Sequence, residues 1–275
     1  MQRPIVTLLT DFGTSDSYVA EVKAVLLTWQ PSVVIVDITH QVSPYDVEEA
    51  AFHLLRSYAW FPKHTYHLAV VDPGVGTARK NLYIRTRDYH FIGPDNGVLL
   101  WAVRACERNE NRKAHVAEIP VPRGTKPTFH GRDVFAPFLG RGIANFGVAN
   151  TPELYHGLTP VAHLEGKEFP RHLEHSDELI GQIVSSDHFG NLITSIPVGE
   201  AVSASAEIGT LRDRINFAPN YLSIPRGKVG LIRGSHGYWE IACATGSAAS
   251  LLRTKKGDRV ILYPERKNSD LSTDG

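Results

Sequence analysis

The start of the chain restricts the fold more than any other feature. An apolar run at 5–9 is followed by a helical period from 16 to 29 and a second apolar run at 33–37. Two short strands joined by a helix-length crossover make a βαβ unit, whose strands run parallel with the helix packed on one face. Within the crossover Tyr18, Val22, Val25, Leu26 and Trp29 recur at helical spacing, and Pro31 stops the helix. Ser43-Pro44-Tyr45-Asp46 then announces a second helix, read with Ser43 as N-cap, Pro44 at the first position and an acid at the third. Further strands are expected at 66–71 and 82–84, and helices near 97–106 and 134–145. The pattern predicts an α/β N-terminal domain with a mostly parallel sheet over residues 1–155.

Periodicity disappears between 151 and 176, where Pro, His, Gly and Glu accumulate, so 156–177 is assigned as a connector. Beyond it, short apolar runs at 179–185, 192–196, 228–232, 238–242 and 259–263 are separated by turn residues. They predict a smaller β-rich, barrel-like C-terminal domain at 178–264. The polar stretch 265–275 is expected to be a flexible tail.

Composition narrows the classes. The length of 275 residues accommodates two domains at about 150 residues each. Lys plus Arg (29) cancels Asp plus Glu (29), so the chain has no general field for nucleic acid or anionic lipid. No apolar run approaches the ~18 residues of a membrane span, and the N-terminus lacks a secretory pattern. Neither nucleic acid nor membrane is expected as a partner, and the expected location is cytoplasmic. Cys106 and Cys243 lie in apolar surroundings and read as reduced core residues.

In open α/β sheets ligands bind beyond the carboxyl ends of the strands. Four apolar runs end in acid there: Asp11, Asp37, Asp72 and Asp95. An Asp after a strand also caps helices and closes turns, but four together mark a candidate ligand edge. Residues 10–17 (TDFGTSDS) form a polar loop entering a helix, with carboxylates suited to ribose hydroxyls or an ammonium group. The loop has neither the GK[ST] of a P-loop nor GxGxxG. In residues 72–79 (DPGVGTAR) two glycines allow a sharp turn that could bring Arg79 back to Asp72 and keep its carboxylate ionised. His130 opens another helix, and histidine is the side chain suited to proton transfer near neutral pH. In the C-terminal half, 187–191 (DHFGN) and 234–239 (GSHGYW) are either hairpin turns or ligand contacts, and 245–250 (TGSAAS) begins a helix with small residues. These features point to a small polar molecule held by two domains.

The motifs TDFGTSD (10–16), SPYDVEEAA (43–51), VDPGVGTAR (71–79), GPDNG (93–97), FHGRDVFAP (129–137), DHFGN (187–191) and GSAAS (246–250) occur in one order. In that order the chain resembles the S-adenosyl-L-methionine (SAM) hydroxide adenosyltransferases, relatives of fluorinase and chlorinase, over about residues 4–264. The resemblance implies hydrolysis of SAM by water to adenosine and L-methionine, without metal or other cofactor. It also implies a homotrimer with active sites between subunits. Asp72, Arg79 and His130 match the constellation around the attacking water. Asp11 matches the carboxylate on the ribose hydroxyls, Asp16 and Ser17 match methionine contacts, and Tyr45 matches an aromatic beside the ribose. Asp187 matches a ligand of the methionine amino group and Asn191 an adenine contact. Ser235 matches a methionine carboxylate contact, and Ala248 lies where backbone meets adenine.

Three other readings compete. A halogenase uses the same scaffold, but Gly131 stands where fluorinase has Ser, Asp72 where halogenases have a non-acidic residue, and fluorinase's long insertion is missing. A non-catalytic SAM or adenosine sensor would have no need of Asp72, Arg79 and His130. Metal-dependent hydrolysis would draw on Asp11, Asp37, Asp72 and His130.

Overall fold

The computed structural model describes residues 3–146, 157–175, 178–199, 203–208 and 215–265. Most of the stretch expected to be a tail therefore lies outside the described residues, as do 147–156, 176–177, 200–202 and 209–214. The chain divides into two compact units, one ending at Glu168 and the other starting at Phe169.

In the first unit, β1 (Ile5–Thr10), β2 (Val34–Thr39), β3 (Tyr66–Val70) and β5 (His90–Pro94) make the parallel half of a seven-stranded sheet in the order β2-β1-β3-β5. The sheet continues antiparallel through β4 (Asn81–Arg85), β6 (His115–Glu118) and β7 (Thr159–Pro160). The parallel half follows from the βαβ opening; the other half arises because β4 returns beside β5 as a hairpin rather than through a helix.

Alternation along the strands feeds two cores. Val6, Leu8, Leu68 and Val70 face α1 (Tyr18–Trp29) and α4 (Ala136–Phe146), joining Val22, Leu26, Leu139 and Ile143. Leu9, Ala69 and Val71 point the other way, toward α2 (Val47–Ser57) and α3 (Leu100–Glu110), with Leu54, Ala102 and Val103. Helices on both faces are what allow the near-continuous apolar runs of β1 and β3.

Two local expectations are corrected. Ser43 is not the N-cap of α2. Asp46 is: its carboxylate accepts from Glu49 N at 2.9 Å, while the Glu49 side chain reaches back to Ser43 N at 3.1 Å. This displaces Pro44 and Tyr45 into the preceding turn, with Tyr45 left-handed at φ 68°. Asp37 does not follow β2 but lies inside it, held by Lys23 Nζ at 2.6 Å. As an edge strand β2 can carry an acid on its open side.

The second unit is an eight-stranded antiparallel sheet. β9 (Glu178–Ser186), β10 (Leu192–Pro197), β11 (Ser203–Ile208), β12 (Ile215–Asn216), β13 (Val229–Arg233), β14 (Tyr238–Cys243) and β15 (Arg259–Glu265) run in the order β12-β11-β15-β9-β10-β14-β13, and β8 (Leu173–His175) adds to β9. A bridge between Phe217 and Leu231 brings the two ends of this order together, giving a nearly closed barrel. Ile183, Leu192, Ala206, Trp239, Ile241 and Leu262 fill it. Glu265, expected as the first tail residue, is the last residue of β15.

Cys106 and Cys243 are free and buried, and burial pushes the Cys106 thiol up to about 12. No helix among the described residues is long and apolar enough to cross a membrane.

Candidate active site

The carboxyl ends of β1, β3 and β5 lie side by side, so the polar residues following them share one edge of the first unit. A cavity of about 710 Å³ opens there, with Asp11, Tyr45, Asp72 and His130 on its wall beside Phe12, Tyr18 and Phe129. The three rings pack edge to face, with centroids 5.2–5.9 Å apart. Asp11 Oδ2 accepts the backbone N–H of Tyr45 at 2.9 Å, tying the loop after β1 to the turn before α2. Tyr45 itself is 71% exposed.

Asp72 begins the 72–79 loop, which leaves the sheet after β3 and returns to it at β4. Arg79 closes that loop by donating from Nε to Asp72 Oδ1 at 2.9 Å and from Nη2 to Oδ2. The loop can turn so tightly because Gly76 is left-handed at φ 77° and lies against the next loop. A Cβ there would come within 2.5 Å of the Pro127 carbonyl oxygen. The other side of the guanidinium meets Asn81 Oδ1 and, at 3.1 Å from Nη2, Nδ1 of His130. Nδ1 of His130 is also 3.2 Å from Asn81 Oδ1. That nitrogen therefore either accepts from Arg79 or donates to Asn81, and the choice of tautomer decides whether Nε2 carries a lone pair or a proton.

Burial, with the nearby Arg79 charge adding to it and Asp72 opposing it, holds the pKa of His130 below the ordinary histidine value. The imidazole is neutral at neutral pH. His130 stands immediately before a π-turn, Gly131–Phe135, that leads into α4; such a turn is a common way to set a side chain into a site.

Other expected residues are placed differently. Asp95 is buried and accepts from Glu165 N at 2.9 Å, and burial raises its pKa; it does not line the cavity. Asp16 and Ser17 are exposed at the start of α1, and Ser17 Oγ donates to Glu21 at 2.6 Å. Among the described residues no group of three His, Cys, Asp or Glu side chains is arranged to hold a metal.

In the second unit, 187–191 is the turn joining β9 to β10. Asp187 Oδ1 accepts from Phe189 N and Asn191 N, and Oδ2 from Asn191 Nδ2, each at 2.9 Å. Gly190, left-handed at φ 80°, lets this turn press on Ser247, whose Oγ would stand 2.1 Å from a Cβ. Ser247 caps the short helix Ala248–Leu252, and Ala248 is fully buried at its start. A second cavity, about 600 Å³, is lined by Asn191, Phe189, Tyr221 and residues 243–246. It gathers Asn191 but not Asp187, Ser235 or Ala248. Ser235 lies in the hairpin between β13 and β14, its hydroxyl 3.2 Å from His236 Nδ1.

Residues 6–145 match the SAM hydroxide adenosyltransferase N-terminal domain and residues 181–261 its C-terminal domain. The chain belongs to the SAM hydroxide adenosyltransferase family. A Thermus thermophilus protein named (R)-S-adenosyl-L-methionine hydrolase is 36% identical over 93% of this chain and 97% of its own. A protein of the same name from Salinispora tropica is 33% identical over 94% and 97%. A fluorinase from Nocardia brasiliensis is more distant, 26% identical over 71% and 72%. Among solved structures, a conserved protein of Thermotoga maritima superposes with a TM-score of 0.77 at 30% identity, covering 94% of this chain and 99% of that one.

Within this adenosyltransferase fold, sequence reading missed Asn81. The residue is buried at the head of β4 and touches both Arg79 and His130. The one signal for it was an amide two residues beyond Arg79, just before the apolar run Leu82–Ile84.

Proposed function

We propose that this chain hydrolyses SAM, the oxygen of water bonding to C5′ as the C5′–S bond breaks, to give adenosine and L-methionine. The observation that carries the proposal is the cluster of Asp72 and His130 on one cavity wall, Asp72 held by Arg79 and His130 by Asn81, in a chain whose near-full-length relatives carry the name SAM hydrolase. Because those relatives are named for the (R) sulfonium epimer, the proposal extends to it.

The chemistry asks little of an acid. The electron pair of the C5′–S bond stays on sulfur as a neutral thioether, so neither a proton donor nor a Lewis acid is needed. The nucleophile must be aligned and must lose a proton, and positioning supplies most of such a barrier reduction. Asp72, neutralised by its two-point pair with Arg79, is a hydrogen-bond acceptor for the water. The neutral His130 takes up the proton at Nε2, which requires the tautomer whose Nδ1–H donates to Asn81.

The remaining assignments follow the same reading. Asp11 has an oxygen left for the ribose hydroxyls beside Tyr45, and Asp16 and Ser17 meet the methionine portion. Asp187 accepts three N–H groups from its own turn. A carboxylate offers about four lone-pair positions, so one remains for the methionine ammonium. Asn191 contacts adenine, with Ala248 supplying backbone next to it, and Ser235 meets the methionine carboxylate. Assembly as a homotrimer and action in the cytoplasm belong to the same proposal. Its direct test is the fate of the water oxygen, with a 5′-halogenated product as the outcome that would make the chain a halogenase.

A further inference from the structure

At the opposite end of the parallel strands the first unit gathers positive charge that the hydrolase reading leaves unused. β5 ends at Pro94, beside the catalytic edge, and begins at His90, about 13 Å away along the strand. There a small cavity of about 150 Å³ is lined by His64, Arg85, His90, Arg112, Lys113 and His115, together with Thr86 and Arg87. Arg85 is the register partner of His90 on one side and of His115 on the other, so three basic residues stand in a row across three strands. Only Arg85 carries a fixed charge in this row, and neither imidazole beside it can offset that charge as a carboxylate would.

Nearby acids already pair with two of the lining cations, Arg87 and Lys113, and leave Arg85 and Arg112 aside. Asp88 pairs with Arg87 at 3.2 Å and Lys63 at 3.0 Å, Glu107 pairs with Arg104 and Lys113, and Glu110 accepts the backbone N–H groups of Arg87 and Asp88. No carboxylate among the described residues pairs with Arg85 or Arg112. Their repulsion is felt locally: burial, then Arg85 and Arg112, lower the pKa of His115.

His90 adds a donor that needs no charge. Tyr83 is fully buried, and its hydroxyl lies 3.0 Å from His90 Nδ1. A buried phenol without an acceptor is costly, so the hydroxyl donates to Nδ1 and the imidazole proton sits on Nε2. Burial, with His64 and Arg85 adding to it, pushes the His90 pKa down to about 3, so this neutral form persists at physiological pH.

We propose that this cavity is a second binding site, for a tetrahedral oxyanion: inorganic phosphate or the terminal phosphate of a phosphomonoester. Arg85 and Arg112 supply the charge, and His90 Nε2–H a fixed donor. The cavity volume suits one phosphate group rather than a whole nucleotide. The site stands independently of the hydrolase reading, because it uses none of the same residues.

The test is titration of the full-length protein with inorganic phosphate, and separately with glycerol 3-phosphate, by calorimetry at pH 7. Wild type is expected to bind one phosphate per chain saturably. The Arg85→Gln/Arg112→Gln double variant is expected to bind at least tenfold more weakly, and Arg226→Gln, at an exposed position in the other unit, as wild type does. Should Arg85→Gln disturb β4, the exposed Arg112→Gln alone still shows a weakened affinity. Equal or tighter binding of glycerol 3-phosphate assigns the site to a phosphomonoester, and binding of inorganic phosphate alone assigns it to the free ion. No saturable binding by wild type, or unchanged affinity in the double variant, overturns the proposal. SAM turnover by the double variant is expected to equal that of wild type.

Discussion

Arg79 grips Asp72 at two points, Nε on Oδ1 at 2.9 Å and Nη2 on Oδ2, with both side chains at most 10% exposed. A planar fork makes this pair; an ammonium cannot. Arg79→Lys therefore keeps the charge and loses the geometry. We expect kcat to fall by about 10²-fold while adenosine affinity stays within about threefold, the signature of an interaction made in the transition state. Stopped-time assays with a binding isotherm for adenosine check this. Equal losses in turnover and binding would place Arg79 in ligand binding instead.

Asn81 lies against both Arg79 and His130, and in the proposed mechanism its Oδ1 holds the proton on Nδ1 of His130. Asn81→Ala should lower kcat by about tenfold with little change in KM, a loss comparable to one oriented hydrogen bond. Asn81→Asp, which keeps the acceptor oxygen, should recover most of it. An Asn81→Ala variant that is merely less stable, with wild-type kcat, contradicts the positioning role.

The pH dependence of turnover has a definite sign. His130 must be unprotonated to accept a proton, and burial holds its pKa below 6.5. The kcat/KM profile should be flat through neutral pH and fall on acidification below pH 6.5, reporting the free enzyme. A midpoint above 6.5 would show that another group is the acceptor.

Stability should respond to acid for a separate reason. Burial pushes His67 and His90 down to about 3. Once unfolded each takes up a proton below about pH 6.5, so stability is fully present above that pH and is lost as pH falls toward 3. Urea midpoints at pH 8, 6.5 and 5 should be level between the first two and lower at the third. Carboxylates contribute little in the interval between pH 6.5 and 5, so a level series through pH 5 would contradict the buried, neutral assignment.

Much of this arrangement was legible because it is periodic or clustered. Helical spacing from Tyr18 to Trp29 and apolar runs on either side give the βαβ unit, and acids at strand ends lead to Asp11 and Asp72. What escaped has no such signal. β11 reads SASAEI, small and polar, and is a strand because Ala206 and Ile208 pack inside the barrel. Ser43 had the pattern of an N-cap, yet Asp46 captured the Glu49 N–H in its place. Asp37 followed an apolar run but sits within an edge strand, where a lysine satisfies it. Asn81 belongs to no motif, and its meaning arises only when β4 carries it up to His130.

The ribose assignment of Asp11 has its own readout. Wild type should bind adenosine more tightly than 2′-deoxyadenosine, by about tenfold for one charge-assisted hydrogen bond. Asp11→Ala should bind the two alike, as competition for SAM would show. Discrimination retained by Asp11→Ala would remove the carboxylate from the ribose.

The central claim is attack of water on C5′, and the most direct measurement is incubation of SAM with the protein in ¹⁸O-labelled water, with a chelator present and with chloride added or omitted. Adenosine carrying one ¹⁸O at its 5′ oxygen is expected together with unlabelled L-methionine, in amounts indifferent to chelator and chloride. A 5′-chloro product, a chelator-sensitive reaction, or intact SAM despite measurable binding would contradict it.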